Sequence, residues 1–214
     1  MYKNNTAVII GAGIGGLATS IFLARKGYHV SLYEQSDTPG GRCSRQIREG
    51  HRFDLGATIF LMPDLYRKVF DSLGLSFDSV IKSKPLAEIY RLYFTDGTTF
   101  RFTTDRQIME KQLETLEKGS YRRFREYVDK GCSFYRIATN ELLGRNYTSL
   151  FQFITLKNIG ILFRIKTLTS HMRYVGRFFR HPNLRTAFTF QNIYVGQNPY
   201  TAPALFSMIP AAEI

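Results

Sequence analysis

The chain is poor in cysteine, has almost no acid in its last third and lacks a long unbroken apolar run. Each shortage removes a class of protein. Its two cysteines, Cys43 and Cys132, lie far apart and form no CxxC or histidine-rich spacing. Neither a disulfide framework nor a zinc site is expected, and a reducing compartment fits best. In MYKNNTAVIIG the apolar run stops at glycine after four residues, which marks a buried strand rather than a secretory leader. The glycosylation patterns Asn4-Asn5-Thr6 and Asn146-Tyr147-Thr148 are chance matches on that reading. Thr186 to Ala212 is charge-free and long enough to span a bilayer, but Pro199, Pro203 and Pro210, with several Asn and Gln, would leave backbone groups unpaired in lipid. No internal repeat or low-complexity linker is present.

What remains is a chain of 214 residues, 44% hydrophobic and 21% charged, with a formal net charge of +12. Such a composition is globular rather than disordered. Between Leu142 and Ala212 there is no Asp or Glu, against the cations Arg145, Lys157, Arg164, Lys166, Arg173, Arg177, Arg180 and Arg185. A surface of this kind seeks phosphate, in nucleic acid or in anionic lipid head groups. The interleaved apolar residues of FQFITLKNIGILFRIKTLTSHMRYVGRFFR, Phe151 to Arg180, favour a membrane surface over a duplex. A basic helical subdomain that packs its apolar residues internally reads the same way.

The pattern along the chain predicts a strand over Ala7 to Ile10, a helix over Ile14 to Lys26 and a strand over Tyr28 to Tyr33. Leu17, Ile21 and Ala24 are expected on the helix's buried side, and Gly27 is expected to stop it. Together these make a βαβ unit. Arg42 to Phe60 contains short extended pieces, Asp64 to Leu73 reads as a helix, and Ile89 to Phe94 with Thr98 to Phe102 reads as a hairpin about Asp96-Gly97. Asp105 to Glu117 and Tyr121 to Leu143 read as helices, and the basic region holds two more. No later segment supplies a further βαβ unit, although a doubly wound sheet needs more than two parallel strands. The expected fold class is therefore α/β: a Rossmann-like βαβ opening of an incomplete doubly wound sheet, with part of an inserted α+β domain for substrate binding and membrane docking. Residues 1–75 are assigned to the first and 76–214 to the second. Because the chain stops in mid-pattern at PAAEI, it is expected to be the N-terminal portion of a longer protein.

The chemistry concentrates in Gly11-Ala12-Gly13-Ile14-Gly15-Gly16, which fits GxGxxG between a predicted strand and a predicted helix. Gly11 permits a tight turn, Gly13 lets backbone approach a pyrophosphate, and Gly16 allows close packing of helix on strand while the helix N-terminus faces negative charge. Glu34 ends the second strand, where its carboxylate can accept hydrogen bonds from an adenosine ribose and disfavours a 2′-phosphate. Pro39-Gly40-Gly41-Arg42 follows closely. Two glycines let backbone N–H groups crowd a ligand, and Arg42 adds a fork of donors. Taken alone, the same stretch reads as a mobile glycine turn with a solvated arginine.

With these motifs the chain resembles the flavoproteins of the amine-oxidase and phytoene-desaturase superfamily, in which GxGxxG, Glu and GGR mark an FAD site. Within it the closer likeness is to the carotenoid desaturases of bacterial phytoene-desaturase type, carried by GHRFDLGATIFLMPDLYRKVFDSLGL, YRLYFTDGTTF, SYRRFREYV and HPNLRTAFTFQNIYVGQNPYTAPALFSMIPAAEI. The likeness covers essentially the whole chain but only the N-terminal portion of such an enzyme.

The resemblance implies an FAD-dependent oxidoreductase that removes hydrogen across a saturated carbon pair of a long polyene such as phytoene, hydride passing to the flavin. It implies a polyene substrate, a peripheral seat on the inner face of the cell membrane, no metal and no nucleic-acid partner. Arg122 and Arg123 match a family motif expected near the flavin and can steady developing charge, or they form a solvated basic helix face. Lys118-Gly119-Ser120 ahead of them offers no partnering acid. Asp54 positions a loop over the flavin or caps a turn. Cys43 is expected to be small and buried, and His29, His51, His171 and His181 to be solvated or core residues. Four alternatives stay open: an amine or protoporphyrinogen-type oxidase, an isomerase or ketolase of the same superfamily, a non-catalytic prenyl-binding protein like the GDP-dissociation inhibitors and, prompted by charge alone, a nucleic-acid binder.

Overall fold

The computed structural model describes residues 5–56, 60, 62–143 and 145–214. Asn4 of the first glycosylation pattern and residues 57–59 of the Arg42 to Phe60 stretch lie outside the described residues. The chain divides between Ser83 and Lys84 into two compact units, eight residues past the boundary expected at Leu75.

In the first unit the run TAVII forms strand β1 (Thr6–Ile10), helix α1 spans Ile14–Arg25, and HVSLY forms β2 (His29–Tyr33). The strands pair in parallel from Thr6↔His29 to Ile10↔Tyr33. A parallel pair requires a crossover, and α1 provides it. This is the only parallel pair of strands among the described residues. The helix face differs from expectation. Leu17, Ser20 and Leu23 are half-buried, while Ile21 is 43% exposed and Ala24 is exposed. A helix laid on two strands covers one stripe at spacings of three, and Ile21 and Ala24 stand beside it.

After a short turn at Gly41–Cys43, strands β3 (Arg45–Arg48) and β4 (His51–Asp54) form an antiparallel hairpin. Its two-residue turn, Glu49 and Gly50, has φ positive at both positions, the geometry that matches strand twist. Helix α2 (Pro63–Ser72) begins on proline, which is pre-set for a first helical position. The short α3 (Phe77–Val80) follows. Phe77 is buried against Phe60, Tyr66 and Phe70, the ring of Phe60 stacking on it at 5.8 Å.

The second unit opens with the hairpin of β5 (Glu88–Tyr93) and β6 (Thr99–Thr103), turning about Asp96-Gly97 as predicted. Asp105 caps α4 (Arg106–Leu116) by accepting from the N–H groups of Gln107 and Ile108. Helix α5 (Ser120–Ile137) continues into a wide turn at Ala138–Leu142. Helix α10 (Met208–Glu213), preceded by a 3-10 turn at Ala204–Ser207, crosses α5 at Gly131, where a Cβ would come within 2.5 Å of Ala211 Cβ.

Between them the basic region makes shorter pieces than the two helices expected: α6 (Leu150–Phe153), α7 (Leu156–Arg164), α8 (His171–Val175) and α9 (Pro182–Ala187). Ser149, Thr155, Ser170 and His181 each turn a side chain back onto an opening N–H, so every cap restarts the helix in a new direction. A 3-10 turn at Phe190–Val195 completes the unit. The core gathers Phe100, Phe102, Leu113, Tyr127, Phe179, Leu184 and Phe188, all fully buried, with Phe179 stacked on Phe188 at 4.6 Å.

Candidate functional site

The first unit brings Gly11 to Gly16, Glu34 and the Gly40-Gly41 turn together. β1 ends on Ile10, and Gly11, at φ +98°, bends the chain while its N–H donates to the Tyr33 carbonyl at 2.7 Å. Only glycine tolerates that backbone cheaply. Gly13 precedes α1 with no side-chain cap and no acid in the first turn, so the opening amides are unpaired within the helix and face outward with the positive end of the helix dipole. Nothing lies within 4 Å of where a Cβ of Gly13 or Gly15 would stand, and Ile14 and Gly15 are exposed. Gly16 is the packing glycine, because a Cβ there would collide with the Gly11 carbonyl.

The second glycine turn is stitched to the first through backbone. Gly40 N–H donates to the Ala12 carbonyl at 2.8 Å, Gly13 and Gly40 form a parallel bridge, and a Cβ on Gly41 would lie 3.3 Å from Gly13 Cα. Glu34 ties β2 to the same place. Its Oε2 accepts from the N–H of Ala12 at 2.6 Å and its Oε1 from Ser36 at 3.0 Å. The bonds from Ser36 and Ala12 lower its pKa, so the carboxylate is held ionised. Arg42 is exposed beside this cradle. Sequence reading missed Gly56, whose Cβ would strike the Arg42 carbonyl and which therefore lets β4's exit pass behind the turn. The glycine itself, just after RFDL, was the available signal.

A turn with open backbone amides, room over two glycines and a carboxylate at the sheet's edge fits the pyrophosphate and ribose of a dinucleotide.

Several expectations fall elsewhere. Cys43 is exposed rather than buried, because the short turn that carries it runs along the unit's surface. Among the described residues Asp54 accepts from Nε of Arg45 at 3.0 Å, its register partner across the hairpin. Arg122 points to solvent in the first turn of α5, while Arg123 is engaged within the second unit. Its Nε donates to the Phe178 carbonyl at 2.6 Å and its Nη2 to the Glu117 carboxylate. The acid sought just ahead of the arginine pair is therefore Glu117, one residue before Lys118. Its other oxygen accepts from the backbone of Arg180 and His181 at 2.8 and 2.9 Å.

His29 and His51 are exposed, and His181 caps α9 through Nδ1. His171 is fully buried, with Nε2 3.0 Å from the Tyr127 hydroxyl and Nδ1 3.2 Å from Asn192 Oδ1. Burial pushes its pKa down to about 4, so it is neutral. No group of side chains suited to holding a metal occurs among the described residues.

In the basic region a run of large apolar side chains stands in solvent. Leu150, Phe151, Leu156 and Leu168 are each at least 75% exposed, alongside the exposed Arg164 and Lys166. Lys157 pairs with Glu141 at 3.1 Å. Among the described residues no helix is long and apolar enough to cross a membrane.

Residues 9–74 match the family of NAD(P)-binding Rossmann-like domains. The wild-type putrescine oxidase structure with bound putrescine aligns with 98% of this chain and 41% of its own at a TM-score of 0.58 and 21% identity, a likeness of fold. The fold class is thus Rossmann-like, as expected.

The zeta-carotene-forming phytoene desaturase of Myxococcus xanthus is 35% identical over 97% of this chain and 40% of its own length. The phytoene desaturase of Cercospora nicotianae is 33% identical over 99% and 34%. The 4,4'-diapophytoene desaturase of Staphylococcus haemolyticus is 30% identical over 96% and 41%. The chain is a homologue of the phytoene and diapophytoene desaturases and spans roughly two-fifths of their length or less.

Proposed function

We propose that this chain belongs to an FAD-dependent oxidoreductase that desaturates a long polyene of the phytoene class. The observation that carries the reading is identity of 30–35% to three such desaturases over nearly the whole chain. The glycine cradle supports it. In this reading the first unit is part of the flavin domain, and the second is part of the domain that binds substrate and membrane.

Bound FAD supplies the hydride acceptor; the chain's own residues bind and orient. The open amides that begin α1, past Gly11 and Ala12 whose N–H groups are already engaged, donate to the pyrophosphate, Glu34 accepts from ribose hydroxyls with lone pairs its two backbone bonds leave free, and the Gly40-Gly41 turn with Arg42 adds donors beside them. Ionised Glu34 suits that task, since a carboxylate accepts from a hydroxyl more strongly than its protonated form does.

Because a long polyene resides in lipid, the protein works at a bilayer, on the cytoplasmic face of the cell membrane. The exposed apolar side chains from Leu150 to Leu168 form part of its seat, with Arg164, Lys166, Arg173 and Arg177 facing anionic head groups. Charge reversal at those four cations is expected to release the full-length protein from anionic vesicles in a flotation assay. Unchanged binding rejects the seat.

Expression of the full-length protein in a phytoene-accumulating bacterium, followed by pigment analysis, tests the activity. New conjugated products support it. Unchanged phytoene with a flavin-loaded protein assigns the site to another substrate, and protein that takes up no flavin overturns the reading altogether.

A further inference from the structure

In the second unit the β5–β6 hairpin and helix α4 line a cleft of about 570 Å³. Along β6 the exposed Thr99 and Arg101 alternate with the buried Phe100 and Phe102, so they stand on the face away from the aromatic core. On α4, Ile108, Lys111, Gln112 and Thr115 follow at spacings of three and four and make one stripe toward the cleft. Gln112 fixes the two elements to each other. Its Oε1 accepts from the Arg101 N–H at 2.9 Å and its Nε2 donates to the Arg101 carbonyl at 2.6 Å, closing that point of the strand edge with a side-chain amide.

The charges around the cleft do not balance. Arg91 and Arg101 are register partners, directly opposite across the hairpin, where like charges repel. Glu88 serves both: it accepts from Nε and Nη2 of Arg91 at 3.0 and 3.1 Å and lies 3.9 Å from Arg101 Nε. Lys111 forms no ion pair among the described residues. The other carboxylates of these elements are turned elsewhere. Asp96 accepts from Thr98 and Asn183 at the hairpin turn, Glu114 accepts from the N–H groups of Gly119 and Tyr121, and Glu110 lies off the stripe of α4. Three cations against one carboxylate leave the cleft two positive charges in surplus.

A carboxylate or a chloride ion offsets one of them. A phosphate monoester carries nearly two negative charges at neutral pH, on oxygens that a guanidinium fork and an ammonium both meet. We propose that this cleft binds a phosphate monoester group, with Arg101 and Lys111 as its main donors, Thr99 beside them and Arg91 held in place by Glu88. Ile108, 37% exposed, and the half-buried Leu116 give the cleft an apolar wall along which the group bearing the phosphate lies. The phosphate is either free in solution or the head group of a lipid.

The test is calorimetric titration of the full-length protein with inorganic phosphate at fixed ionic strength, in saturating FAD so that the glycine cradle is filled. Saturable binding is expected. Lys111→Gln is expected to weaken it about 10-fold, the loss of one charge-assisted contact. Lys118→Gln removes the same charge from an exposed site beyond the end of α4 and is expected to bind as the parent does. No saturable binding to the parent, or an equal loss in the two variants, overturns the site. Acetate is expected to bind at least about 10-fold more weakly than phosphate; equal affinity means that the cleft does not read two charges, and the proposal fails. The inference does not rest on the flavin reading: a protein that takes up no flavin fails that reading, while the contrast between the two lysine variants still reports on this cleft.

Vesicles separate the sources. Phosphatidic acid presents a phosphate monoester and phosphatidylglycerol a diester with a single charge, so the two are compared at matched surface charge. Weaker flotation of Lys111→Gln with phosphatidic acid alone assigns the cleft to a lipid head group. Unchanged flotation with both lipids, beside the 10-fold loss for inorganic phosphate, assigns it to a soluble phosphate ester.

Discussion

Up to Ser83 the protein buries Ala12, Leu73 and Phe77, while β1 leaves Val8 and Ile10 at 68% and 88% exposure. From Lys84 onward, aromatic rings from β6, α5 and the segment after α8 close over Tyr127, Phe179 and Phe188. The first unit is organised by backbone: a parallel ladder, glycines in tight approach and a carboxylate that accepts from main-chain N–H groups. The second is organised by side chains. A site made of backbone amides needs little core but tolerates no added atom where its segments cross, as at Gly16, whereas a packed core tolerates surface change and no lost volume.

The contrast can be broken most forcefully from the second unit. Phe188→Ala removes a ring packed against Phe100, Phe102, Phe124, Tyr127 and Phe179, and is expected to cost about 3–5 kcal/mol in chemical denaturation of the full-length protein. A loss below about 1 kcal/mol would mean the core refills around the gap.

Acid tests the polar centre of the same core. His171 has a folded-state pKa of about 4 against an ordinary 6.5, so between those values the unfolded chain binds the extra proton. Its contribution is complete above about pH 6.5 and is lost as pH falls toward 4, by an amount of order 3 kcal/mol. Urea denaturation across that range is expected to show the slope in the parent and to lack its His171 component in His171→Asn.

The first unit should respond in binding instead. Gly16→Val sets side-chain atoms against the Gly11 carbonyl and is expected to weaken FAD binding about 100-fold, or 2.7 kcal/mol, by flavin fluorescence titration. The unfolding of the second unit should be unchanged. If that unit's melting shifts as much as binding does, the division between backbone-built and side-chain-built regions fails.

The smallest effect is expected at Arg123→Met, about 1–2 kcal/mol of stability from the bonds to Phe178 and Glu117, with flavin affinity retained. Selective loss of turnover with unchanged melting would instead return Arg123 to the chemistry.

The βαβ unit, the hairpin about Asp96-Gly97 and the grouping of glycines with Glu34 were legible because their signals are local. Alternation, a helix stop and a fixed motif spacing report backbone geometry within some thirty residues. The pairing of Arg123 with Glu117, the exposure of Cys43 and the cross-strand partner of Asp54 were not, since each depends on which surface another segment covers. The same holds for Gly56, which matters only because the Arg42 carbonyl passes it.

Sequence alone determined where the chain can bend, where a phosphate can approach backbone, and where cations gather without acid, because steric freedom and formal charge belong to residues individually. Tertiary structure decided that Gln191 and Glu213, from distant segments, both reach the Tyr90 hydroxyl, and that His171 is neutral at the centre of a core. Those properties arise from desolvation and from partners as many as 123 positions apart in sequence, and no local pattern carries them.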